Sequence, residues 1–378
     1  MIKINVKTAS IFLDGKCDVA DIYIEGGIIR QIRDDIKHSM FSGVYELDAE
    51  GLMAVPTFTD SGCFCLGSKT TGQELPIIST DEYKRLGFYS FITSLNISDK
   101  KERLINQKKQ VSEYNKENMC VKFLSGGMKD RAYHLNQDIY TDVVNLNNCA
   151  GASVIYDDAY GSIDHERIDR LCRQVDAAAQ DTNKTGIVYL YIGDLSLDFS
   201  DISDFISKEF GREKTIVPWF CNRGQRILDS SIDYVKKGGR INLVAGGKRE
   251  EMSEDFIPLS DSLMAIYESL SSLDGVLVSS LSGGYLPKKD DKTPHQRGAV
   301  HNIYKGVKKA VSMGLPIHDA LKVLCFNPID LFGFDQKNIK KSEYANFLII
   351  DDKLNIKYII DGQELIQPKN FRDVVLFI

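Results

Sequence analysis

The chain has 378 residues, 43% hydrophobic and 26% charged, with a formal net charge of −6. That balance suits a globular protein with a sizeable core, and the negative charge, with no basic face beyond the short interrupted cluster Lys288, Lys289 and Lys292, argues against nucleic acid as a partner. No stretch approaches ~18 consecutive apolar residues and residues 1–15 lack the apolar centre of a signal peptide, so no membrane partner and a cytoplasmic location are expected.

The chain opens with short β-type runs at residues 2–6, 18–25, 28–32 and 44–47. Gly26-Gly27 between the second and third is a two-residue hairpin signal. The C-terminus has the same character, with β-branched runs at 345–350, 356–360 and 374–378 broken by Asp351-Asp352 and Asp361-Gly362. Chain termini often lie close together, so 1–52 and 340–378 are expected to join as one small β-sandwich domain.

The middle of the chain alternates differently. Short apolar runs recur at 53–60, 88–95, 120–127, 151–158, 186–194, 215–222, 240–246 and 275–281. Between and after them lie helical patterns at 80–86, 100–117, 164–180, 202–210, 225–237, 260–273, 300–313 and 317–325. Buried-type strands alternating with helices predict an all-parallel sheet, and eight of them predict an α/β fold of the (β/α)8 TIM-like barrel kind over 53–339. A doubly wound open sheet is the second choice, but no Gly-x-Gly-x-x-Gly follows the first strand.

The cysteines at 17, 63, 65, 120, 149, 172, 221 and 325 are scattered. In a chain this long they read as reduced thiols rather than a disulfide framework. Cys63, Cys65 and Cys221 stand at strand ends where a metal could sit, but side chains alternate along a strand, and these face away if 62, 64 and 220 face the pore. No Gly-x-Ser-x-Gly is present, and neither Cys63 nor Cys221 has a strand-end histidine as partner.

Val55-Pro56-Thr57-Phe58-Thr59-Asp60 resembles the Val-x-Pro-Gly-x-x-Asp entry of the amidohydrolase superfamily, which normally continues x-His-x-His. Five later segments are similar to isoaspartyl dipeptidase, in order: Leu124-Ser125-Gly126-Gly127, Ser153 to Asp158, Tyr189 to Asp194, Pro218 to Arg223, and Ser279 to Gly284. The resemblance spans nearly the whole chain. It implies a barrel with a β-domain drawn from both termini, oligomeric assembly, and hydrolysis by two divalent metals held by histidines and bridged by a carboxylated lysine, with an aspartate after the eighth strand handling the proton.

Carried over residue by residue, the likeness departs at nearly every metal position. The two histidines after the first strand become Gly62 and Phe64, the bridging lysine becomes Ser153, and the next two histidines become Tyr191 and Phe220. The aspartate after the eighth strand becomes Leu281, and the tyrosine that polarises the substrate becomes Met128. Gly, Phe, Leu and Met cannot hold a hard or borderline divalent ion, and Ser and Tyr are poor substitutes. Of the substrate contacts one arginine remains as Arg223 and the other becomes Tyr160, while Asp60, a support of the ligand loop, remains and Asp158 ends the fourth strand at the same face. Asp158 reads equally as a helix cap and Arg223 as an internal ion pair with an acid such as Asp194.

The reading is therefore a catalytically degenerate relative of isoaspartyl dipeptidase with a structural, scaffolding or small-anion-binding role. The expected pocket comprises Asp60, Gly62, Phe64, Met128, Ser153, Asp158, Tyr160, Tyr191, Phe220, Arg223 and Leu281, with no metal or other cofactor, a homo-oligomeric state and room for a hetero-partner. Two alternatives stay open: a metal-independent enzyme reusing the pocket, and an active metal-dependent β-aspartyl dipeptidase.

Overall fold

The computed structural model describes residues 2–13, 16–38, 43–63, 80–94, 111–112, 114–125, 127–129, 132–134, 139–156, 165–192, 206, 212–246, 255–280, 299–334, 339–362, 364–368 and 374–376. The N-terminal part forms β1 (Lys3–Leu13), β2 (Lys16–Glu25), β3 (Ile28–Arg33), β4 (Tyr45–Asp48) and β5 (Met53–Pro56). β1 and β2 pair antiparallel, and β2 turns into β3 through Gly26 at φ 62° and Gly27 at φ 80°. Two consecutive left-handed residues make the hairpin turn that twists with its strands, which is why glycine occupies both.

The apolar run 53–60 serves two sheets. β5 pairs parallel with β1 in the terminal domain, and the chain then breaks at Thr57 before β6 (Phe58–Cys63) opens the barrel. Pro56 carries no N–H to donate to a ladder and stands at the end of β5.

The barrel continues with α1 (Thr80–Arg85), β7 (Phe88–Ser94), β8 (Cys120–Ser125), a small hairpin of β9 (Gly127–Lys129) and β10 (Ala132–His134), α2 (Ile139–Asn145), β11 (Cys149–Tyr156) and α3 (His165–Thr182). Then come β12 (Ile187–Ile192), α4 (Arg212–Thr215), β13 (Ile216–Trp219), α5 (Gln225–Lys236), β14 (Ile241–Val244), α6 (Leu259–Leu270), β15 (Val276–Ser279) and α7 (Ala299–Ser312). The run 317–325, expected as one helix, is α8 (Ile317–Leu321) continued by a π-helical turn (Lys322–Phe326) into α9 (Asn327–Phe332). The terminal sheet is completed by β16 (Asn346–Ile350), β17 (Ile356–Asp361), β18 (Glu364–Gln367) and β19 (Val374–Leu376).

Eight parallel strands run in the order β15-β14-β13-β12-β11-β8-β7-β6, and β15 packs against β6 to bring the two ends of the sheet together. This is the expected TIM-like barrel beside a β-domain built from both termini, in which β16 pairs antiparallel with β5. All eight apolar runs contribute a barrel strand. Most of the helices expected at 202–210 and 100–117 lies outside the described residues, although 111–112, 114–116 and 206 are helical. The short α2, α4 and β18 were not expected, since each offers less than two helical turns or only four residues of pattern.

Candidate functional site

Strand alternation decides what lines the barrel. Ile187, Tyr189 and Tyr191 of β12 and Val217 and Trp219 of β13 belong to the interior cluster, while Val188, Leu190, Ile192 and Ile216 pack toward the helices. The two strands are in register with Tyr191 opposite Trp219.

Phe220 breaks the alternation. Its φ of 78° is left-handed, so it follows Trp219 into the interior, and Cys221 returns to the helix-side layer. A bulky residue in that region costs about 1–3 kcal/mol and persists only where the surroundings hold it. Here its ring packs 6.2 Å from Tyr191 and 6.0 Å from Phe256.

The result is a continuous aromatic column. Centroid spacings run 6.0 Å from Phe334 to Phe332, 6.1 Å to Tyr189, 5.2 Å to Trp219 and 5.9 Å to Tyr191, and from there to Phe220 and Phe256. Most of these pairs are tilted or edge-on, the arrangement that suits ring quadrupoles.

Trp219 occupies the space in front of Gly62. A Cβ added at Gly62 would lie 2.6 Å from Trp219 Cζ2 and 3.3 Å from Ser279 Cβ. The indole Nε1 donates to Ser279 Oγ at 2.9 Å, and Ser279 Oγ donates to the Leu243 carbonyl at 3.2 Å, so the ring is pinned to the neighbouring strands. Beside it the Tyr189 hydroxyl donates to the Ser61 carbonyl at 2.8 Å, and Asn242 Nδ2 donates to the same carbonyl and to the Tyr189 oxygen, each at 3.2 Å. Burial pushes the Tyr189 phenol far up, which keeps it a neutral donor.

Asp60 is fully buried. Its Oδ1 accepts the Ser280 N–H at 2.9 Å and the Gly62 N–H at 3.1 Å, and its Oδ2 accepts the Tyr83 hydroxyl at 2.7 Å and the Ser280 hydroxyl. Burial pushes its carboxyl up to about 6, although all four donors pull the other way.

Arg223, half-buried just past β13, lies with its guanidinium 5.3 Å from the Phe220 ring centroid, and its Nη1 donates to the Ile192 carbonyl at 3.5 Å. It thus stands at the C-terminal end of the strands, where this fold builds its sites.

Of the remaining candidate residues, Ser153 is buried on β11 opposite Tyr189, and Met128 sits in β9 opposite Tyr133. Phe64, Asp158, Tyr160 and Leu281 lie outside the described residues, as does Asp194. One expectation is corrected: Cys63 is disulfide-bonded, while the other described cysteines are free. A disulfide needs two sulfurs brought into bonding geometry, which scattered positions in a sequence do not report. Cys221 remains a buried thiol, pushed up to about 12 by burial.

The described residues do not form a dinuclear metal centre. Tyr191, Phe220 and Ser153, which the resemblance sets at ligand positions, carry no imidazole or amine, and the Trp219 ring takes the volume a side chain at 62 would need. Among the described residues no group of three or more His, Cys, Asp or Glu is placed to hold a metal ion. Trp219 and Asn242 were missed in the sequence. Trp219 is the only tryptophan of the chain, but alternation allowed one inward residue at 219–220, and a left-handed phenylalanine gives no signal.

No family model and no curated protein sequence matches the chain. Solved structures do. The β-aspartyl dipeptidase of the thermophilic, keratin-degrading Fervidobacterium islandicum AW-1, in complex with β-Asp-Leu dipeptide, is 21% identical with a TM-score of 0.77 over 97% of this chain and 96% of that one. A dihydroorotase is 12% identical with a TM-score of 0.64 over 97% and 99%. N-acetylglucosamine-6-phosphate deacetylase from Pasteurella multocida is 12% identical with a TM-score of 0.61 over 96% and 98%. The chain therefore shares the fold of these enzymes, a parallel eight-stranded barrel with a β-domain drawn from both termini. Among the described residues no helix is long and apolar enough to cross a membrane.

Proposed function

We propose that this β-aspartyl dipeptidase-like fold has given up metal-dependent hydrolysis and acts as a binding or scaffolding protein, with a small anionic, amino-acid-like ligand held at the barrel mouth. The observation that carries the reading is the Trp219 ring set against Gly62, with Cζ2 2.6 Å from where a side chain would begin. A histidine there would have to displace a ring packed against Tyr189 and Tyr191 and hydrogen-bonded to Ser279. Removing such a buried aromatic is costly.

The ligand class follows from what remains charged. Arg223 presents a guanidinium at the strand ends, stacked on Phe220. A planar fork of N–H donors suits a carboxylate, which can accept two parallel hydrogen bonds. No hydrolytic step follows from these residues: Asp60 is enclosed by Tyr83, Ser280 and Gly62, with its lone pairs already used.

Elemental analysis of the purified protein, with β-Asp-Leu hydrolysis assayed with and without added zinc, tests the reading. The expected result is zinc well below stoichiometric and no hydrolysis in either condition. About two zinc ions per chain, with hydrolysis abolished by a chelator, would return the protein to the active dipeptidases.

A further inference from the structure

The eighth and first barrel strands meet without a ladder. Among the described residues, every neighbouring pair from β6 round to β15 is hydrogen-bonded, but none of the ladders joins β15 to β6. The Asp60 side chain bridges this seam. Asp60 on β6 accepts both the backbone N–H and the hydroxyl of Ser280, the residue following β15, and the Tyr83 hydroxyl ties α1 to the same carboxylate. The Tyr83 and Ser280 hydroxyls also lie 3.3 Å apart, so three groups from three elements close a ring.

We propose that Asp60 is a proton-linked latch on this seam: the closed barrel holds it best as the neutral acid, and its ionisation favours opening between β15 and β6. Hydroxyls can accept as well as donate. A proton on Oδ2 can therefore be donated to Ser280 or Tyr83, and rotation of one hydroxyl keeps the ring intact. An ionised carboxylate keeps its four donors but sits fully buried, and among the described residues the titratable groups facing it are Tyr83 from α1 and Tyr189 from β12, with Tyr114 beyond Tyr83. None of these supplies a positive charge. Opening the seam to water relieves that burial.

The sign follows. In the closed barrel the carboxyl titrates at about 6, above the 3.8 it has in water. Opening is least favoured at low pH, grows as pH rises between those two values, and levels off above the higher one. From pH 5 to pH 8 the opening constant should rise about tenfold.

The Ser280 and Gly62 amides, which both donate to Oδ1, report this directly. Native-state hydrogen exchange of these two amides, corrected for the intrinsic rate, should show the tenfold rise, while amides of Leu190 and Tyr191 in β12 do not. Asp60→Asn keeps a neutral group of the same shape and should abolish the excess pH dependence at the seam. The latch is refuted if the Asn variant keeps the wild-type slope. It is equally refuted if the seam amides exchange only together with those of β12, in global unfolding. The inference stands apart from the proposed ligand, since neither Arg223 nor any ligand enters it.

Discussion

Trp219 and Gly62 exclude one another's alternatives: the indole reaches to 2.6 Å from where a Cβ at position 62 would stand. Glycine at 62 is what lets the tryptophan lie across the barrel, and the tryptophan is what forbids a ligand-bearing residue at 62. The two positions belong to β13 and β6, on different sides of the barrel.

Gly62→His should therefore destabilise the protein, by about 1–3 kcal/mol from overpacking. Combined with Trp219→Ala, the added histidine gains room, and the double variant should lose less than the sum of the two singles. Urea unfolding of the four proteins gives the coupling. Strict additivity would mean that the ring and the glycine are energetically independent.

Trp219→Ala alone should cost about 3–5 kcal/mol, the range for emptying a buried aromatic site. Trp219→Phe should cost less, because the ring contacts to Tyr189 and Tyr191 survive and only the bond to Ser279 is lost. Melting temperatures should rank wild type, then Phe, then Ala.

Arg223→Met addresses the ligand. Methionine keeps part of the apolar packing over Phe220 but removes the guanidinium. Calorimetric binding of an acidic amino acid or β-Asp-Leu should be measurable with wild type and lost in the variant, with little change in melting temperature. A loss of several kcal/mol of stability, with no binding by wild type, would make Arg223 an internal ion-pair partner instead.

Asp361 anchors the terminal domain to the barrel. It is 5% exposed and accepts from Asn118 Nδ2 at 3.2 Å and from the Tyr344 hydroxyl at 3.3 Å, with Lys84 of α1 4.0 Å away. Asp361→Ala leaves these groups without their common acceptor, and urea unfolding should show a loss of about 1–3 kcal/mol.

Much of this molecule was decided locally and could be read from the chain. Eight β-branched runs separated by helical periodicity specify a parallel barrel, and Gly26-Gly27 specifies its hairpin, because both signals depend on residues a few positions apart. The residue types at Gly62, Ser153, Tyr191 and Phe220 were equally legible, and that they replace metal ligands is what the resemblance implies. What fills the space was not. Trp219 reaches Gly62 across 157 positions of sequence, Ser280 reaches Asp60 across 220, and Phe220 adopts a backbone conformation that its side chain disfavours. The division of 53–60 between two sheets likewise depends on partners at β1 and β16. Periodicity says which face a residue shows. Only closure of the barrel decides which residue from the far side meets it, because contacts across the pore join strands distant in the chain.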